Sequence, residues 1–294
     1  MKSSSNGKVG IITLHGYHNY GNKLQNYALQ ESIKKLGFDV ATVIISLPRE
    51  KRKHIVDKIS KLFTIDGQKK IFNRICKLIK YYFNKSLEDK RIKVFKSFSN
   101  EYLLEMFYDY NNETLTYLAN KFDFFITGSD QVWNPIYKNE LPIYFLTFCR
   151  PNQRLSYAPS FGQATIPKEY EDKYRAWLSE MKALSVREES GAKIIKDLTG
   201  RDAPVVVDPT LLISKEHWLS IAKKASNRPD DDYILTYFLG KVSAETKKQI
   251  KYFSKKYKMR VISLADLNDK DTYVAGPSEF IDYINSASIL LTDS

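Results

Sequence analysis

Val9-Gly-Ile-Ile-Thr-Leu-His-Gly-Tyr-His-Asn-Tyr-Gly-Asn-Lys-Leu-Gln-Asn-Tyr-Ala-Leu-Gln30 decides how the rest of the chain is read. Val9 to Leu14 is a short apolar run rich in β-branched residues, as expected for a strand covered on both faces. Gly16 and Gly21, with Asn19 between them, allow backbone conformations that a side chain would obstruct. From Leu24, apolar residues fall at Tyr27, Ala28, Ile33 and Leu36, and Gly37 stops the helix. In a parallel α/β sheet the loop between such a strand and helix lies at the carboxyl end of the strand, where ligands bind. The helix start adds free N–H groups and a positive dipole end. The spacing is neither G-x-G-x-x-G nor a P-loop, so the loop serves either an anionic small ligand or a structural tight turn.

Working outward, strands and helices alternate. Val40 to Ile45 reads as a second strand and Phe124 to Thr127 as a third, the latter turning out through Gly128-Ser129-Asp130. Arg154 to Ala158, Ala183 to Val186 and Pro204 to Val207 read as further strands, with helices over Tyr170 to Met181 and Glu188 to Leu198. A new alternation follows the polar stretch Ser226 to Asp232. It comprises strands at Tyr233 to Phe238, Arg260 to Leu264 and Ile289 to Leu291, and helices at Ser243 to Tyr257 and Ser278 to Asn285. The expectation is an α/β protein of two Rossmann-like, parallel-sheet domains. The first spans 1–215 with a basic helical insertion at about 49–98, the second spans 232–294, and the boundary falls near 212–231.

The 294 residues carry a formal charge of +12, and 43% are hydrophobic, which excludes general disorder. Between Arg49 and Lys96 there are 16 Lys/Arg against 5 Asp/Glu; elsewhere the chain is nearly neutral overall, which argues against a whole-protein nucleic-acid signature. Within that segment Ile71, Phe72, Ile75, Cys76, Leu78, Ile79, Tyr82 and Phe83 form one helical stripe flanked by Lys69, Lys70, Arg74, Lys77 and Lys80. Residues 69–83 are read either as a core-packing helix with a solvated basic face or as a dock for an anionic membrane surface or acceptor. Cys76 and Cys149 form no metal-ligand spacing and no disulfide framework. With no signal-peptide core and no 18-residue apolar run, the expected location is cytoplasmic, with peripheral attachment at the inner membrane face as an option.

Five segments together resemble the polysaccharide pyruvyl transferase family. They are Asn19-Tyr-Gly-Asn-Lys-Leu-Gln-Asn-Tyr-Ala-Leu-Gln30, Ile126-Thr-Gly-Ser-Asp-Gln-Val-Trp-Asn-Pro135, Ser156-Tyr-Ala-Pro-Ser-Phe-Gly162, Leu184-Ser-Val-Arg-Glu-Glu-Ser190 and Val207-Asp-Pro-Thr-Leu211, in the family's order. The resemblance implies a two-domain fold like that of GT-B glycosyltransferases, with the active site between domains. It also implies transfer of a pyruvyl group from phosphoenolpyruvate to hydroxyls of a cell-surface polysaccharide precursor, possible acceptors including lipid-linked sugars, without metal or organic cofactor. Such a reaction needs cationic and helix-terminal ligands for the donor, an acid for the methylene carbon and a base for the sugar hydroxyl.

On that resemblance Arg187 is the donor-anion ligand, its structural alternative being a salt bridge to Glu188 or Glu189. Gly16, His18, Asn19, Gly21, Asn22 and Gln25 form the first binding loop. Asn22 stands where many relatives carry Asp, so it cannot be a base. Asp130 is a base or a sugar-hydroxyl ligand, or else caps the next turn with Ser129; Gly128 completes that loop. Trp133 is a sugar-stacking platform or a loop anchor, and His15, Tyr157 and Ser160 line the cleft. Relatives continue Thr-Asp-Ser into Phe-His-Gly, so Asp293 and Ser294 are binding residues and the catalytic His is expected beyond Ser294. That departure gives the expectation of an incomplete second domain and an inactive chain. Two alternatives stand beside it: a GT-B glycosyltransferase using a nucleotide sugar, and a non-catalytic ligand-binding relative.

Overall fold

The computed structural model describes residues 5–47, 68–137, 141–267 and 269–293, with backbone alone at 68–84 and 271. The chain divides into two compact units, one of residues 1–48 and 99–217 and the other of residues 49–98 and 218–294.

The first unit is a parallel sheet of β1 (Lys8–Ile12), β2 (Asp39–Ser46), β3 (Glu105–Asp109), β4 (Phe124–Asp130) and β5 (Arg154–Pro159), in the order β3-β2-β1-β4-β5. Its helices are α1 (Tyr20–Lys35), the last residues of α2 (Gln68–Tyr102), α3 (Asn112–Lys121), α4 (Leu141–Tyr144), α5 (Lys168–Ser179) and α6 (Glu189–Thr199). β1 has apolar side chains on both faces. Val9 and Ile11 pack with Leu29 and Ile33 of α1, while Ile12 joins a larger core built on Phe125, Trp133, Phe145 and Tyr174. α1 ends as expected, with Gly37 at φ 82°.

The buried face of α1 departs from simple amphipathicity: Lys23, Gln25, Asn26 and Gln30 are all buried. Each has a partner. Gln30 Nε2 donates to Thr42 Oγ1 at 2.7 Å and its Oε1 accepts from the Leu104 amide at 3.1 Å. Asn26 Oδ1 accepts from Thr42 Oγ1 at 2.7 Å, and Lys23 Nζ pairs with Glu105 Oε1 at 2.7 Å. Such pairings offset the desolvation cost of polar groups and tie α1 to β2 and β3 in one register.

The strands expected at Ala183 to Val186 and Pro204 to Val207 are reduced to isolated parallel bridges, Leu155 with Ala183 and Val186 with Val205. Beside β5 a few backbone bonds remain, such as the Ser156 amide to the Ala183 carbonyl at 3.1 Å, and serine hydroxyls extend the pairing. The Ser185 amide donates to Ser156 Oγ, Ser156 Oγ donates to the Ser185 carbonyl, and Ser185 Oγ donates to the Ser156 carbonyl, all at 2.9 Å. Hydroxyls thus satisfy groups that a regular sheet would pair through backbone. β3 and α3 carry no expectation from the sequence.

The second unit has a parallel sheet in the order β7-β6-β8, from β6 (Tyr233–Tyr237), β7 (Arg260–Leu264) and β8 (Ile289–Thr292). Beyond α7 (Lys215–Ser220), at which the chain leaves the first unit, come α8 (Ala244–Tyr257), α9 (Lys270–Tyr273) and α10 (Pro277–Ser286). Residues 85–98 of α2 belong to this unit, so the described part of the basic segment packs with the C-terminal sheet's unit. Arg91 is buried there between the rings of Phe95 and Tyr273, at 4.9 and 5.1 Å from the ring centroids. The side chains of the 69–83 stripe, like Ser294, lie outside the described residues, as does Cys76.

Candidate active site

Most of the residues singled out from sequence lie at the carboxyl edge of the five-stranded sheet. β4 delivers Gly128, Ser129 and Asp130. Gly128 has φ 146°, and a Cβ there would lie 1.8 Å from the Tyr157 carbonyl oxygen, so the close approach of β4 to β5 admits only glycine. Gly16, by contrast, has open space around its Cα, and its φ is not positive; the expected steric demand is absent at that position.

A hydrogen-bonded web joins the first loop to β4. Gln25 Nε2 donates to Thr13 Oγ1 at 3.0 Å, Gln25 Oε1 accepts from the Ser129 amide at 3.0 Å, and Thr13 Oγ1 donates to the Ser129 carbonyl at 3.3 Å. On the far side, Ser129 Oγ donates to Asp208 Oδ2 at 2.8 Å, and Arg187 Nη1 reaches the same oxygen at 3.3 Å. Arg187 Nε lies 3.6 Å from Glu188 Oε2, whose other oxygen accepts from Ser160 Oγ at 2.5 Å. Tyr157 OH donates to the Val207 carbonyl at 3.1 Å. Gln25, Ser129, Tyr157, Ser160 and Arg187 are therefore brought together, and Asp208 and Glu188 are what join them.

Asp130 holds φ 149°, a backbone conformation that costs a non-glycine residue about 1–3 kcal/mol. Its Oδ1 accepts from the Gln131 amide at 2.8 Å, and its Oδ2 accepts no hydrogen bond among the described residues. Burial raises its pKa above the usual 3.8; the Gln131 N–H and the Arg187 charge oppose that rise, and Asp208 adds to it. A carboxyl held toward its neutral form with one open oxygen is suited to proton donation.

Next to this cluster, a cleft of about 360 Å³ opens at the carboxyl ends of β1 and β2. Thr13, His15, Asn22, Ser46, Tyr137 and Tyr144 are among its walls. Part of His15 is exposed, yet desolvation of the ring, and then the charge of Lys23, lower its pKa. Asn19 caps α1, its Oδ1 accepting from the Asn22 amide at 3.3 Å, and Gly21 sits in the first turn behind it. His18 is exposed on the same loop.

One expected site residue lies in the core of the first unit, and another belongs to the second unit. Trp133 is fully buried, its indole stacked on Phe145 at 5.1 Å with the rings 3° from parallel, and its Nε1 donates to the Tyr144 carbonyl. It anchors the core and offers no face to a sugar. Asp293 belongs to the second unit, where its carboxylate accepts from the Leu239 and Gly240 amides at 2.8 and 3.3 Å.

Sequence reasoning passed over Lys23, Glu188 and Asp208 as site residues. Asp208 stood in plain view, between an apolar run and a proline, in the same strand-end position as Asp130. Nothing local marks Lys23, whose burial depends on Glu105. Cys149 is buried, with its thiol pKa pushed up to about 11 by burial. Among the described residues no cluster of His, Cys, Asp and Glu could hold a metal ion, and no helix is long and apolar enough to cross a membrane.

No curated protein matches the chain. A family model described as polysaccharide pyruvyl transferase matches residues 19–294. That match covers nearly the whole chain, from the cap of α1 through the ends of β4 and β5 to Arg187, Asp208 and beyond, so the protein belongs to the polysaccharide pyruvyl transferase family.

Proposed function

We propose that the protein transfers a pyruvyl group from phosphoenolpyruvate to two hydroxyls of a sugar in a cell-surface polysaccharide precursor, forming a ketal and releasing phosphate. The observation that carries this reading is the gathering of Arg187, Asp208, Ser129 and Asp130 at one sheet edge, with the Arg187 charge acting on Asp130. Arg187 is about one-third exposed and held by ion pairs of 3.3 and 3.6 Å, longer than a tight charge-assisted bond. A phosphate or carboxylate presents a better bidentate partner than either contact.

In this mechanism Asp130 delivers a proton to the methylene carbon, and the first sugar oxygen bonds to the adjacent carbon. Phosphate then leaves with the electron pair of its C–O bond, and the second hydroxyl adds at the same carbon. One hydroxyl proton restores Asp130 and the other passes to phosphate or solvent. Ser129 and Asp208 orient Arg187, and the cleft beside His15 and Asn22 receives the sugar.

Calorimetric titration of the full chain with phosphoenolpyruvate tests the donor assignment. Arg187→Ala should weaken binding on the order of 10- to 100-fold, as expected for losing a charge-assisted contact of 1.5–3 kcal/mol, and Arg187→Lys should recover only part. Equal affinity in the Arg187→Ala variant, or saturable binding of a nucleoside diphosphate in place of phosphoenolpyruvate, would overturn the reading.

A further inference from the structure

The basic segment at 49–96 hides a second concentration of charge. From Lys241 to Arg260 there are eight Lys/Arg and a single acidic residue, Glu245. This stretch is built around α8, which packs beside β7 and buries none of its residues fully. Ile250, Phe253 and Ser254 are half-buried on one side. At 3.6 residues per turn, Lys248, Lys251, Tyr252, Lys255 and Lys256 fall on the opposite side, and all five are exposed. Tyr252 is 58% exposed, with the Lys256 ammonium 5.7 Å from its ring centroid.

None of the α8 lysines forms an ion pair among the described residues. Lysines at Lys248, Lys251 and Lys255 are i, i+3 and i+4 neighbours, and each such like-charge pair destabilises an isolated helix. The helix therefore carries a repulsive cationic stripe with no ion-paired counter-charge among the described residues. An external anionic surface would relieve that repulsion and gain from every lysine at once.

We infer that the exposed face of α8 docks the protein on an anionic lipid bilayer. Its geometry favours a bilayer over a polymer: the charges lie in a row along the exposed side of one helix, which suits an array of headgroups. Tyr252, flanked by lysines, carries the apolar ring and polar tip that settle at a membrane–water interface. The apolar contribution is one ring, so the attachment is electrostatic and weakens with salt.

The test is co-sedimentation of the full chain with vesicles of phosphatidylcholine alone and of phosphatidylcholine mixed with phosphatidylglycerol. Binding is expected only with the anionic lipid, and Lys248→Gln/Lys251→Gln/Lys255→Gln should lower the partition coefficient on the order of 100-fold. These side chains are exposed, and circular dichroism checks that the variant is folded. A second variant, Lys69→Gln/Lys70→Gln/Arg74→Gln/Lys77→Gln/Lys80→Gln, separates the two basic regions and should retain binding. Unchanged partitioning of the α8 variant, or loss confined to the second variant, would overturn the inference. So would equal binding to neutral vesicles, or displacement from anionic vesicles by an oligonucleotide at matched charge.

Discussion

Replacing Lys23 with methionine should destabilise the first unit by about 3–5 kcal/mol, the cost of leaving one member of a buried ion pair unmatched. The two side chains are only 2% and 6% exposed and meet at 2.7 Å, so Glu105 would lose its counter-ion with little water to replace it. Burial lowers the pKa of Lys23 despite the opposing pull of Glu105. Desolvation thus outweighs attraction at Lys23, and replacing a buried pair by apolar residues of similar volume is often neutral or stabilising. The double variant Lys23→Met/Glu105→Leu should therefore regain most of the loss, or exceed the parent protein. The Lys23 ammonium also sits 4.6 Å from the Tyr17 ring centroid, so the single variant loosens the loop next to the cleft. Urea unfolding followed by tryptophan emission is the assay, because Trp133 and Trp177 lie in the first unit. A parallel titration of His15 by nuclear magnetic resonance should show its pKa rise once the Lys23 charge is gone. A loss below about 1 kcal/mol in the single variant would refute the reasoning, since surface pairs cost that little. A double variant no more stable than the weaker single one would refute it equally.

Gly128→Ala should fail to give soluble, folded protein, because its Cβ would fall 1.8 Å from a backbone oxygen of β5 that cannot move without breaking the β4–β5 ladder; near-normal yield and melting temperature would contradict this. Asp130→Asn should gain stability relative to the parent protein as pH rises across the acid range, because it removes a contribution that falls with pH. With the folded pKa raised, the folded state holds the Asp130 proton more tightly than the unfolded chain. That contribution is complete below the unfolded value near 3.8 and fades as pH rises through the folded value. Denaturant midpoints measured across this window in both proteins check the sign, and a variant-minus-parent stability difference that falls with rising pH would exclude a raised pKa.

Much of the architecture was legible because its signals are local. β-branched runs marked β1 and β2, Ser243 announced the start of α8, and Gly37 marked the end of α1; each lies within a window of a few residues. The family motifs were legible for the same reason, being short and in order along the chain. β3 escaped notice because its residues are half-exposed at a sheet edge, and only its register with β2 makes it a strand. The serine exchange at Ser156 and Ser185 likewise has no local trace, since a strand-like composition says nothing of whether hydroxyls or amides will fill the ladder.

The amino-acid order by itself determined the alternation of strands and helices and the placing of the glycine-bearing loops at strand ends. Tertiary structure alone decided which residues meet there. Gln25 and Ser129 are 104 residues apart, Lys23 and Glu105 are 82 apart, and Ser129 and Asp208 are 79 apart. Burial and charge pairing at such separations depend on the order β3-β2-β1-β4-β5, which sets neighbours that no periodicity encodes. The same dependence turned Trp133 from a sugar platform into a core anchor and drew Asp208 to Arg187, because the environment of a side chain is a property of the packed chain.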